Sequence, residues 1–226
     1  MKLIVGGCSV SDRTEVDECY GEILARDIGV DYIHYGAGCG SNYRMWRKIT
    51  KDIIDGNITK GDIVIIQYTQ PWRDEYWSCY YKKENRFDRY GNIEYRDKYG
   101  TGDIIRWKPM MKGEDDNEYK FFELKEKFFT NIEYDLERFE CNHFLFHTTL
   151  INKGINVIYF VPDGKLFGYN KKYEEYFNKN GEIHLTRFYD EKNNELLPDL
   201  AHMNAKGHEV TAKFLAHELR DRGLIK

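Results

Sequence analysis

Hydrophobic and polar positions alternate along this chain in a strand-then-helix rhythm. Lys2 to Val5 is a short apolar run closed by Gly6 and Gly7, which predicts a buried first strand. After the polar stretch Ser9 to Glu18, the positions Tyr20, Ile23, Leu24 and Ile28 recur at helical spacing, and Gly29 supplies a stop. Asp31 to His34 can form a second short strand, followed by the glycine-rich loop Gly36-Ala-Gly-Cys-Gly40. Met45, Trp46, Ile49, Ile53 and Ile54 then define the apolar side of a second helix that ends at Asp55-Gly56-Asn57. The unbroken run Asp62 to Ile66 suits a strand covered on both faces, as in a parallel sheet.

The second half repeats the rhythm after an interruption. Residues 74 to 120 are rich in Tyr, Arg, Lys, Asp and Gly, show little periodicity, and read as an insertion or lid. Its aromatics, among them Trp77, Tyr80, Tyr81, Phe87 and Trp107, can line a ring-bearing ligand, but packing the insertion onto the main body is their default use. A long helical pattern from about Tyr119 to Asn152 carries Phe121, Leu124, Phe128, Ile132, Leu136 and Phe139, with a break expected near Cys141. Ile155 to Val161 predicts another strand, and His184 to Phe188 a possible one, with Tyr173 and Tyr176 on a short helix between them. Asn204 is a fitting N-cap for a last helix to about Arg222, with Val210, Phe214, Leu215 and Leu219 on its apolar side. This alternation predicts a single α/β domain over residues 1–226, a three-layer α/β/α sandwich around a parallel sheet of about five strands.

Composition narrows the class. The 226 residues are 41% hydrophobic and 32% charged, too apolar for a disordered chain, while a mean hydropathy of -0.71 argues against a membrane bundle. No apolar run approaches the roughly 20 residues that span a bilayer. The N-terminal run is shorter than a signal peptide requires, so a cytoplasmic location is expected. A formal charge of -4 offers no general attraction to phosphate backbones, and no nucleic-acid partner is expected. Cys8, Cys19, Cys39, Cys79 and Cys141 form no CxxC pair, and their odd number fits a reducing compartment better than a disulfide framework.

Candidate chemistry sits at both ends of the chain. Ser9 follows a predicted strand and precedes a helix, the place where an open parallel sheet exposes its reactive groups. A serine hydroxyl needs a base within hydrogen-bond reach and a third group to orient that base. Asp199-Leu-Ala-His202, just before the last helix, offers both. Taken singly, Ser9 is an ordinary turn serine and the Asp199/His202 pair a local hydrogen bond; taken together they make a triad. A metal reading of Asp199, His202 and His208 has suitable ligand types but no recognised spacing, so no metal is expected. His143 and His147, four apart on a helix, suit a solvated or packed face better than a metal edge, and Cys8 and Cys39 suit small buried cysteines. The glycine-rich loop lacks the Gly-x-Gly-x-x-Gly spacing of a dinucleotide site, and no cofactor is called for.

These residues in this order resemble the SGNH or GDSL hydrolase superfamily, over Met1 to Arg73 and the tail from about Ile155. Gly7-Cys8-Ser9 stands where the family has Gly-Asp-Ser, with Cys8 in place of the aspartate. Gly38-Cys39-Gly40-Ser41-Asn42 resembles the block whose glycine N–H serves the oxyanion hole, which assigns that part to Gly40. In the third block the family's asparagine is absent from Gln67-Tyr68-Thr69-Gln70-Pro71-Trp72-Arg73, and Thr69 is its positional substitute. Asp199-Leu-Ala-His202-Met-Asn204-Ala-Lys-Gly207-His208 resembles the last block, in which His202 is the base and His208 settles the start of the helix.

The resemblance implies a serine ester hydrolase with the catalytic residues Ser9, His202 and Asp199, and an oxyanion hole from Ser9, Gly40 and Thr69. Asn42, Gln67, Gln70 and Arg73 are the expected substrate-binding residues. A small acyl ester of a carbohydrate is the expected substrate, with bacterial or phage origin. Two other readings stay open at this point: an O-acyltransferase acting on glycans, and a binding module that has kept the fold without turnover.

Overall fold

A computed structural model describes residues 1–8, 11, 13, 16–36, 40–69, 124, 128, 132–161, 183–184 and 203–226. Five parallel strands make one sheet: β1 (Lys2–Gly6), β2 (Asp31–His34), β3 (Ile63–Gln67), β4 (Asn156–Val161) and β5 (Ile183–His184), in the order β2-β1-β3-β4-β5. The helices are α1 (Tyr20–Ile28), α2 (Asn42–Ile54), α3 (Ile132–Asn152) and α4 (Ala205–Asp221).

The unbroken apolar runs are explained by the pleat. Successive strand residues face opposite sides of the sheet, and here both sides are covered. Leu3, Val5, Ile63, Ile65, Ile158 and Phe160 face one core cluster, which α1 and α4 close with Leu24, Leu215 and Leu219. Ile4, Val64, Ile66, Tyr159 and Val161 face the other, closed by Met45, Trp46 and Ile49 of α2 and Leu136, Phe139 and Phe146 of α3. The expected three-layer α/β/α sandwich is therefore present among the described residues.

Boundary chemistry fixes the elements. Gly29 caps α1 in the left-handed conformation at φ 70°, a backbone shape that only glycine adopts cheaply. Asn204 caps α4 by accepting from Gly207 N at 2.9 Å, as expected of an N-cap asparagine. Asp62, expected to open β3, lies just outside it. Its carboxylate accepts from Lys2 N at 2.7 Å and Thr59 N at 2.8 Å, joining the start of β1 to the turn that leads into β3.

Other expectations need correcting. α3 runs through Cys141 without a break, because its buried residues Leu136, Phe139, His143, Phe146 and Leu150 keep helical spacing across that position. Ile54 is 75% exposed, one helical step of about 100° past the buried Ile53. In α4 the buried side is carried by His208, Thr211, Ala212, Leu215, Ala216 and Leu219, while Val210 and Phe214 are only half-buried. The insertion at 74–120 with its aromatics, Tyr173, Tyr176, Cys39, and residues 185–188 of the possible fifth strand lie outside the described residues.

No described helix is long and apolar enough to cross a membrane.

Candidate active site at the carboxyl ends of the strands

In a parallel sheet the carboxyl ends of all strands open on one side, and ligands gather there. β1 leads into Gly7 and Cys8, and β3 leads into Tyr68 and Thr69. Cys8 is buried, and Gln67 Nε2 donates to its Sγ at 3.2 Å, tying the two strand ends together. The turn after β1 tightens at once: Ser11 N and Oγ both donate to Cys8 O, at 3.0 and 2.8 Å. A side chain at Gly7 would overlap Ser11 Oγ and approach Gln67 Oε1 to 3.1 Å, so the close packing of this turn requires glycine.

A second link joins β3 to α2. Asn42 Nδ2 donates to Thr69 O at 2.9 Å, and Thr69 N donates to Asn42 Oδ1 at 2.9 Å. The amide of Asn42 thus pairs with the Thr69 backbone as a neighbouring strand would, after the regular ladder has ended. Ser41, the N-cap of α2, accepts from Arg44 N at 3.1 Å, and Arg44 NH1 donates to Tyr35 O at 2.5 Å past the end of β2. Gly40 is buried immediately before this cap. The structure therefore brings Gln67, Thr69 and Asn42 together beside the end of β1.

Two polar atoms of this cluster are left over. Thr69 Oγ1 and Gln67 Oε1 are fully buried and have no hydrogen-bond partner among the described residues. Buried polar groups are almost always paired, because stranding one costs about 1–3 kcal/mol. Thr69 Oγ1 is a hydroxyl able to donate to an incoming oxygen. Gln67 Oε1 is an acceptor as oriented by Cys8.

The opening of α4 is set differently. His208 is 2% exposed; its Nδ1 accepts from Tyr20 N at 3.0 Å, and its ring stacks on Tyr20 with centroids 5.9 Å apart. Burial pushes its pKa down to about 4, so the ring is neutral near pH 7. His208 thereby pins the start of α4 to the start of α1, the structural part expected of it. Met203, which precedes the cap, is buried in the same core cluster as Cys8.

The remaining candidates, Ser9, Gln70, Arg73, Asp199 and His202, lie outside the described residues. Sequence reasoning left His143 and His147 open between a solvated and a packed face. His143 is buried and His147 half-buried: His143 Nδ1 shares a hydrogen bond with Tyr68 Oη, and His147 Nδ1 one of 3.0 Å with Tyr159 Oη. The apolar spacing of Phe139 and Phe146 on either side of His143 was the available signal. Among the described residues, no group of three or more His, Cys, Asp or Glu could hold a metal ion.

No family model and no curated protein sequence matches this chain. Solved structures do. A G-D-S-L family protein from Desulfitobacterium hafniense DCB-2 superposes with a TM-score of 0.54 at 10% identity, covering 96% of this chain and 98% of its own. A GDSL-like lipase from Bacteroides thetaiotaomicron VPI-5482 gives 0.51 at 12% identity, covering 98% and 88%. The chain has the α/β/α fold of these GDSL-type proteins.

Proposed function

We propose that this protein is a serine ester hydrolase. One observation carries the reading: Cys8 and Met203, the chain neighbours of Ser9 and His202, belong to a single buried cluster although they come from opposite ends of the sequence. Both ends of the chain thus pack on one side of the sheet, a condition that a Ser9–His202 pair has to meet. The shared fold of GDSL-type proteins and the unpartnered hydroxyl of Thr69 support it.

In this reading Ser9 Oγ attacks the acyl carbon while His202 takes its proton, and Asp199 holds the imidazole in the required tautomer. The N–H groups of Ser9 and Gly40, with Thr69 Oγ1, stabilise the oxyanion. Collapse of the tetrahedral intermediate breaks the ester bond, and His202 returns the proton to the leaving alcohol. Water, deprotonated by His202, then attacks the acyl carbon; the bond to Ser9 Oγ breaks, His202 returns the proton to that oxygen, and the acid leaves. Asn42 serves by holding Thr69 in place; Gln67, Gln70 and Arg73 are the groups left to meet substrate. A small acyl ester such as an acetylated carbohydrate fits the family resemblance.

The test is hydrolysis of p-nitrophenyl acetate by wild type, Ser9→Ala and His202→Ala. Wild-type turnover with both variants at background is expected, along with fluorophosphonate labelling of wild type but not of Ser9→Ala. Equal rates in all three proteins would remove the triad.

A further inference from the structure

The hydrolase reading leaves a buried group of titratable side chains unused. Tyr68, His143 and Tyr159 are each less than 7% exposed, and with His147 they form a box between β3, β4 and α3. Tyr68 and Tyr159 stack with centroids 5.4 Å apart and planes 4° apart, and His143 and His147 stack at 5.9 Å. His143 also meets both tyrosines edge-on, at 5.6 and 4.7 Å. Each histidine gives its Nδ1 to one tyrosine hydroxyl, so the box is closed by two tyrosine–histidine hydrogen bonds.

Tyr68 lies between Gln67 and Thr69, each of which buries a polar atom with no hydrogen-bond partner among the described residues. β3 ends at Gln67, and past it the backbone is held by one bond from Tyr68 N to Phe160 O at 2.9 Å and by the Asn42 pair on Thr69. The Tyr68 ring is a further tie on the strand tip, made on the side of α3. Phe139 and Trp46 pack against it at 5.1 and 6.2 Å, but those apolar contacts permit sliding, whereas the hydroxyl fixes the ring at one point on α3.

We infer that His143 and Tyr68 are positioning residues for the proposed oxyanion site: their hydrogen bond anchors the tip of β3 and so aims Thr69 Oγ1. This inference rests on the ester-hydrolase reading. Small misplacements of a catalytic donor can cost up to about 10²-fold in rate, so an anchor one residue away should be visible in kcat.

The experiment compares Tyr68→Phe, His143→Leu and His143→Asn with wild type, measuring kcat and KM for p-nitrophenyl acetate together with thermal midpoints. Asn places an amide near the position of Nδ1, whereas Leu does not. Tyr68→Phe and His143→Leu are expected to lower kcat by about ten-fold or more with KM within about two-fold. His143→Asn should recover most of the loss, and the Tyr68→Phe/His143→Leu double variant should be no worse than either single one. Lower midpoints with unchanged kcat, or no recovery by Asn, would overturn the inference. If His143→Leu does not fold, Tyr68→Phe, which removes one oxygen, decides alone. An inert wild type that fluorophosphonate does not label brings down the hydrolase reading and the inference with it; an active wild type with an unaffected Tyr68→Phe brings down only the inference.

Discussion

The start of the terminal helix and the tip of β3 both bury polar side chains beside the same sheet, yet they use them in opposite ways. At the helix start, Asn204 accepts from Gly207 N, His208 accepts from Tyr20 N, and Thr211 Oγ1 donates to Met203 Sδ at 3.3 Å. Asn204 and Thr211 settle the start of α4 itself, and His208 holds it to α1. At the strand tip, Asn42 likewise holds the Thr69 backbone, but Thr69 Oγ1 and Gln67 Oε1 have no partner among the described residues. A buried polar group without a partner calls for an explanation, and an incoming ligand atom is one. Substitutions at the helix start should therefore be read out as stability, and substitutions of the unpartnered atoms as chemistry.

The largest effect is expected at His208. His208→Ala removes a buried ring and strands Tyr20 N–H, which should cost about 4 kcal/mol in urea denaturation. A loss below about 1 kcal/mol would mean that the helix start is not the anchor described. Next comes Thr69→Val, which keeps the shape and removes only the hydroxyl. Its esterase rate should fall about 10²–10³-fold, the size associated with one oxyanion donor, without any drop in thermal midpoint. A less stable but fully active variant would reverse the comparison.

Acid should act through the helix start. Burial lowers the His208 pKa from its ordinary 6.5 to about 4 in the fold, so between those values the unfolded chain binds the proton that the folded one refuses. The stability present above pH 6.5 is therefore lost as pH falls toward 4, by roughly 3 kcal/mol at most from this group. Denaturation across that window should show a steeper slope for wild type than for His208→Gln. Asn42→Ala sharpens the contrast from the other side. It leaves the buried N–H and C=O of Thr69 unpaired, and should cost about 2–3 kcal/mol as well as catalytic rate. The smallest effect is the cap: Asn204→Ala should lower stability by about 1 kcal/mol and leave kcat at 25 °C unchanged.

The architecture was legible because its signals are local. Gly29 ends α1, Asn204 starts α4, and the unbroken Ile63–Ile66 run announces a strand covered on both faces. What local pattern could not supply was the partner of each side chain. Asp62 reads as the first residue of an apolar strand until Lys2 and Thr59 are seen donating to it. A break was expected near Cys141, and the hydrogen bond that ties the buried His143 to Tyr68, 75 positions away, could not be read from the local pattern. The site was legible in part for the same reason. Thr69 was placed by counting from the end of β3, but the use of Asn42 to hold its backbone depends on a contact between distant elements. The triad itself, Ser9, Asp199 and His202, lies outside the described residues and stands on the sequence pattern.

The bond from Tyr20 to His208 joins positions 188 apart. Contacts of that range must wait for a long loop to close, and their entropy is lost before anything is gained. Assembly should begin among β1, β2 and β3, whose pairings fall within the first 67 positions, and finish when α4 docks. Refolding is then expected to be slow for a chain of this size, with the docking of the last helix as its late step.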